Sequence, residues 1–270
     1  MRKSLLPRPR SAAGRSRSLL GAALIALASC AAPGLRTGPA PPPPEEIFRG
    51  VLGRNAGLSS ARAVVETKIS YAGRKVSLPG VLQLDRLDGF HLELLDPLDR
   101  PFAILYAEED RIVQYRPGLQ VAASLGVFPA ECRGLAPDDW VAAVLASSEA
   151  PSAGERFVDR ASWGKDRTLE RYREGVLRQS IRYSRVDAQP VPHTISWYCG
   201  DETVLQLRFR EWIRGDAWRL PTRLEVDYPK AGLLVRIELR DIEGNPPPSA
   251  GPLRPRPGAS THWTTWDLPR

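Results

Sequence analysis

From residue 62 onward, apolar and polar side chains alternate with a period of two. Val65, Thr67, Ile69 and Tyr71 alternate with Glu66, Lys68 and Ser70. Val76, Leu78, Leu82 and Leu84 alternate with Ser77, Gln83 and Asp85, and Phe90, Leu92 and Leu94 with His91 and Glu93. The pattern predicts half-buried antiparallel strands, with turns at Ala72-Gly73 and Asp88-Gly89. FAILYA (102–107) and RIVQYR (111–116) extend the meander. LQVAASLGVF (119–128) is ambiguous and admits a helical turn or two. APDDWVAAVLAS (136–147) reads as a helix. Pro137 and two acids open it, and Trp140, Val141, Val144 and Leu145 recur at one-turn spacing. A second group of strands begins near Arg167. It runs through Leu177, Gln179, Ile181 and Tyr183, then Ile195 and Trp197, and then Leu205, Leu207 and Phe209. Leu224, Val226 and Tyr228 follow, and Leu233, Val235, Ile237 and Leu239 close it. With EEIFRGVLGRN (45–55) as a short helix, the chain reads as about eleven strands and two or three helices.

An antiparallel sheet this long, with one apolar face, must curl or be covered. Few helices are available to cover it. The expected fold is therefore mainly β: a strongly curved, incomplete barrel with a short helical lid in its mouth. Its concave face either holds a lipid or is filled as a solid core, and periodicity alone favours the solid core. The inward candidates are Val65, Ile69, Leu82, Leu92, Leu94, Ile104 and Leu205, with Trp140 and Val144 on the lid. A one-residue slip would turn any of these strands inside out.

The net charge of +7 changes little once it is located. Arg2, Lys3, Arg8, Arg10, Arg15 and Arg17 precede residue 30 with no acid among them, and taking these six from +7 leaves +1 for the remainder. No basic block is left to track nucleic-acid phosphates. Residues 1–29 instead have the parts of an export signal: a basic start, then the apolar run LLGAALIALA (19–28), too short to span a bilayer that needs roughly 20 residues. The run ends in LASC (27–30), which resembles a bacterial lipobox with Cys30 as the acylated first mature residue. Residues 30–44 then read as the acylated cysteine and a Pro-rich tether that reaches about 40 Å when extended. The folded domain is placed at 45–244. A Pro-rich tail follows at 245–270, in which THWTTWDL either adds a short edge strand or stays loose.

Candidate chemistry is sparse. The three histidines, His91, His193 and His262, have no metal-ligand partner at one-turn spacing, and no nucleotide-binding or nucleophile motif is present. No metal, cofactor or enzymatic activity is expected, beyond the covalent diacylglycerol and N-acyl lipid on Cys30. Cys132 and Cys199 either pair in an oxidising compartment or remain buried thiols.

One short stretch is out of pattern. In LLDPLDRP (94–101), Leu98 stands between turn-forming residues on both sides. The surrounding LELLDPLDRPFAILYAEEDRIVQY resembles the stretch of the LolB family, outer-membrane lipoprotein receptors, in which an NPLG turn links two strands. FPAECRGLAPDDWVAAVLASSEAP resembles that family's tryptophan-bearing helix segment, with Trp140 in the tryptophan's place, and RLPTRLEVDYPKAGLLVRIELRDIE resembles its closing hairpin. The likeness covers roughly residues 45–243, in the same order along the chain. It implies the LolA/LolB half-barrel, whose cavity takes the acyl chains of a lipoprotein in transit. It also implies a LolA-like periplasmic carrier as partner, and insertion of cargo into the inner leaflet of the outer membrane. Pro97 and Leu98 match the membrane-contacting turn; Asp99 replaces the family's glycine. Ala31 and Ala32, in place of an aspartate after the acylated cysteine, imply the outer membrane. A monomer is expected. The alternative is a non-catalytic envelope-assembly or lipid-sensing lipoprotein on the same scaffold, binding proteins without cargo transfer.

Overall fold

Strand β1 (Ser60–Tyr71) shows why the chain forms a sheet. Ala61, Ala63, Val65, Thr67 and Ile69 are buried, while Arg62, Val64 and Lys68 face solvent. Such alternation is stable only when one face of the strand is covered. The same demand propagates sideways. Leu169, Ile181, Ile195, Leu207, Val226, Val235, Ile69 and Val76 lie in one row across eight neighbouring strands.

The structure, a computed structural model, describes residues 42–55, 57–108, 111–128, 132, 139–145, 153–161, 166–186, 189–214, 218–247 and 260–266. Helix α1 (Pro44–Leu52) precedes β1. Then come β2 (Arg74–Asp85), β3 (Gly89–Leu95), β4 (Pro101–Glu108), β5 (Arg111–Arg116), β6 (Val121–Gly126) and helix α2 (Asp139–Val144). The second group comprises β7 (Glu155–Ala161), β8 (Arg167–Arg173), β9 (Val176–Val186), β10 (Gln189–Cys199), β11 (Glu202–Arg214), β12 (Arg219–Tyr228) and β13 (Leu233–Gly244), followed by β14 (His262–Thr265). All fourteen strands join one sheet in the order β14-β6-β5-β4-β3-β2-β1-β13-β12-β11-β10-β9-β8-β7. Every pairing is antiparallel except the last, in which β14 lies parallel to β6. The two groups of strands meet where β1 pairs with β13, Val65 opposite Leu239.

The mainly β, curved architecture matches the expectation, and the strand count of fourteen exceeds the eleven read from the pattern. Three strands account for the difference. LQVAASLGVF is not helical: it contains β6, with Ala122 and Ala123 both buried. Adjacent residues are buried there because both faces of the sheet are covered locally, which removes the alternation. β7 is an edge strand with Phe157 as its one fully buried residue, too weak a pattern to stand out. THWTTWDL does add an edge strand, β14.

Helix α1 opens on Pro44, one residue earlier than expected, with Glu45 and Glu46 in its first turn, as the helix dipole prefers. Its apolar stripe of Ile47, Phe48 and Val51 packs towards β10 and β7, and the Phe48 and Phe157 rings lie 4.7 Å apart. The opposite face of the sheet is laced with ion pairs. Arg208 and Arg236 both grip Glu225. Burial alone would raise the Glu225 pKa, but hydrogen bonds from Arg236 and Arg208 outweigh it and hold the carboxyl below its ordinary value.

Gly80 permits the close approach of β2 to β3. It sits opposite Leu94, and a Cβ built on it would overlap the backbone carbonyl oxygen of Glu93. Gly80→Ala is therefore expected to push the strands apart and cost about 1–3 kcal/mol. Urea denaturation measures this, and an unchanged midpoint would show that the strands separate freely.

Candidate functional site

The concave face converges on a cleft with no polar surface facing it. Strands β1 to β5 contribute Ile69, Leu82, Phe90, Leu92, Leu105 and Ile112; β12 and β13 contribute Val226, Tyr228, Val235 and Ile237. Two tryptophans close it. Trp140 on α2 lies against Phe90 at 5.1 Å between ring centroids, and Trp266, just past β14, meets Tyr71 edge-on at 6.4 Å. The cleft encloses about 450 Å³ including the solvent at its mouth, but its free cavity is only about 30 Å³. That is room for two or three waters, at roughly 10–15 Å³ each. In this conformation the sheet and lid are close to a solid core. The Trp266 indole nitrogen is buried with no hydrogen-bond partner among the described residues. An unmade hydrogen bond of this kind costs stability.

Of the inward candidates, Val65, Ile69, Leu82, Leu92, Leu94 and Leu205 are buried on the concave side, and Ile69, Leu82 and Leu92 line the cleft itself. Trp140 and Val144 are buried on α2. Ile104 is a correction. It pairs with Glu93 and Tyr115, which places it on the outer face, and Leu105 points inward in its stead. The physical reason is that β4 carries bulky apolar residues on both faces, so alternation does not say which set points in. The lining residues missed were Phe90, Leu105, Ile112, Val226, Tyr228, Leu233, Val235, Ile237 and Trp266. For Trp266 the available signal was an isolated aromatic pair in an otherwise polar tail.

The lid is held by a partly buried arginine. Arg54 donates from Nη1 to the Val51 carbonyl at 2.7 Å, and from Nη2 to the Ala143 and Val144 carbonyls at 3.4 and 3.3 Å. Its guanidinium stacks on Trp212 at 4.7 Å. Burial, and then the charge of Arg219, lower its pKa to about 9, so it remains a cation at neutral pH. A cation at the carboxyl ends of two helices is well placed for their dipoles.

Cys132 and Cys199 form a disulfide, with Cα atoms 5.5 Å apart. It fastens the segment before α2 to the end of β10. Cys30, the leader 1–29 and the tether up to residue 41 lie outside the described residues, as do Pro137 and Asp138.

Leu98 projects from the turn between β3 and β4 and is 70% exposed. The turn is tied together by Asp96, whose Oδ1 accepts from the backbone N–H of Leu98 at 2.8 Å and of Arg100 at 3.0 Å. Its Oδ2 accepts from the Arg100 guanidinium at 2.7 Å. That side-chain hydrogen bond, foremost, holds the Asp96 carboxyl below its ordinary pKa. Asp99 adopts a left-handed backbone, φ +56°. This is a conformation that glycine takes freely and aspartate tolerates. Among the described residues no helix is long and apolar enough to cross a membrane.

No family model matches the sequence, and no curated protein matches it. Solved structures do. A domain assigned to outer membrane lipoprotein sorting, from Vibrio parahaemolyticus, superposes with a TM-score of 0.52 at 15% identity, covering 76% of this chain and 94% of that one. A DUF1329 family protein from Desulfovibrio piger superposes at 0.50 with 12% identity, covering 77% and 96%. At these identities the likeness is one of fold: the chain shares with both a curved, open antiparallel sheet with few helices.

Proposed function

We propose that the protein is a lipoprotein of the bacterial outer membrane, acylated at Cys30 and monomeric, that faces the periplasm. It receives lipoproteins from a LolA-like carrier and inserts them into the inner leaflet. The observation that carries this reading is a cleft without polar surface, closed by a lid helix, in a half-barrel of the sorting-domain fold. Such a site needs no catalytic group and no cofactor, because no bond is made or broken. Each methylene moved from water into apolar surroundings contributes about 0.8 kcal/mol. A modest difference in apolar contact between the carrier's cavity and this one therefore sets the direction of transfer.

The test is to mix a carrier loaded with a lipoprotein with this protein and follow cargo into liposomes. Transfer supports the reading, and its absence sinks it. In the same assay Leu98→Glu is expected to abolish delivery while stability stays within about 0.5 kcal/mol, as for exposed surface substitutions. Unchanged delivery would show that this turn is not a membrane contact.

The small free volume of the cleft favours a second reading, an envelope-assembly or lipid-sensing lipoprotein that binds partners with its core filled. Binding of a fluorescent fatty acid separates the two, since only the cargo reading requires the cleft to open.

A further inference from the structure

The turn bearing Leu98 has a neighbour of similar build. Between β5 and β6, Pro117–Leu119 forms a single 3₁₀ turn, and Leu119 is 65% exposed. In both turns a proline starts the reversal and the leucine stands immediately before a left-handed residue, Asp99 (φ +56°) or Gln120 (φ +51°). The two turns sit side by side. Leu94 pairs with Ala103, and Ile104 with Tyr115, so both hairpins reverse at the same level of the sheet. The 3₁₀ turn packs against β4. Two strand spacings separate the hairpins, about 10 Å.

We propose that Leu98 and Leu119 together form a two-pronged contact with a lipid bilayer; this rests on the membrane-anchored reading above. Lipid is the surface these tips fit. Two single leucines on polar turns offer little area for a protein interface, whose core needs a contiguous apolar patch. They do suit shallow immersion, because the donors around Leu98 and the one that follows Leu119 are satisfied within the turns. Asp96 accepts from the N–H groups of Leu98, Asp99 and Arg100, and the Pro117 carbonyl accepts from the Gln120 backbone and side chain. An unsatisfied donor in hydrocarbon costs several kcal/mol. Two of the charges beside the tips are engaged by neighbours, Arg100 by Asp96 and Arg116 over the Phe102 ring at 5.7 Å, while Asp99 is exposed. Such groups belong in the headgroup layer. The tether from Cys30 reaches about 40 Å. That matches the length of a twelve-residue strand such as β1, so the anchor lets this end of the sheet meet the membrane wherever α1 lies. One prong leaves the domain free to rotate; two fix the line between them against the surface.

The structure supplies its own control. Leu87, in the turn between β2 and β3, is 93% exposed at the opposite end of the sheet. The full chain carrying Cys30→Ser, with the native disulfide intact, is labelled with an environment-sensitive NBD dye at Leu98→Cys, Leu119→Cys or Leu87→Cys. Each is then mixed with phosphatidylethanolamine–phosphatidylglycerol vesicles. The expected result is a blue shift in emission at positions 98 and 119 and none at 87. A shift at 98 but not at 119 overturns the second prong and leaves the Leu98 reading standing. No shift at either removes both. Equal shifts at all three positions indicate unoriented adsorption and also overturn the proposal.

Discussion

Trp140→Ala is expected to lower stability by about 3–5 kcal/mol and, in the same molecule, to raise binding of a fluorescent fatty acid. The two effects share one cause. Trp140 is buried on α2, packs at a tilt against Phe90 and forms one wall of the apolar cleft. Removing the indole takes away its own burial and leaves a void that a six-residue helix has little means to fill. The destabilisation reads the loss of packing in urea denaturation. The gain in binding reads the space created, because a void with no polar lining stays dry and favours an apolar ligand. Trp140→Phe retains most of the ring and is expected to lie between wild type and alanine in both measurements. A stability loss below about 1 kcal/mol would mean that the lid does not pack as described. A full loss without any gain in acyl binding would mean that the cleft collapses, which favours the reading without cargo.

Replacing both Cys132 and Cys199 by serine is expected to cost about 4 kcal/mol. The bond closes a loop between residues separated by 67 positions. For a loop of that length, the chain-entropy account of the denatured state gives a stabilisation of this size. The native state loses something besides. Cys132 is buried and is bonded to the end of β10, so the disulfide fixes where the chain approaches α2. The lid is then held by the Arg54 hydrogen bonds and by its own packing. Denaturation of the double variant, and of wild type under a reductant, should give the same loss. Agreement between wild type with and without reductant would show that the bond contributes nothing to stability.

Much of the sheet was legible because burial on one face imposes alternation on the sequence. β1 and β13 show it cleanly, and their partners follow. The reading failed where that condition failed. At β6, Ala122 and Ala123 are both buried, so a strand looks no different from a helix. At β4, apolar residues line both faces, and Ile104 was taken for Leu105. The core positions on the first three strands were legible for the same reason that β1 was. Trp266 was not, since a Pro-rich stretch separates it from the domain and no local pattern says that the chain returns. The pairing of Cys132 with Cys199 depends on where two distant segments meet, which spacing does not reveal. Leu98 was legible from chemistry rather than period: an apolar residue flanked by turn formers has no place in a core. The structure adds the reason a glycine suits the next position, the left-handed backbone that Asp99 adopts here.

The pairing of β1 with β13 also governs when this protein can fold. Val65 lies opposite Leu239, so the first strand waits for nearly the last before its second edge is satisfied. Pairings between such distant segments are slow to form, because the intervening chain must be ordered before the contact rewards it. A chain still emerging from a ribosome or a translocation pore has meanders but no closed core until residue 244 is free. During that interval β1 presents an open, half-apolar edge, the kind of surface on which chains aggregate. The sheet is therefore completed late, and until then the chain depends on whatever keeps that edge covered.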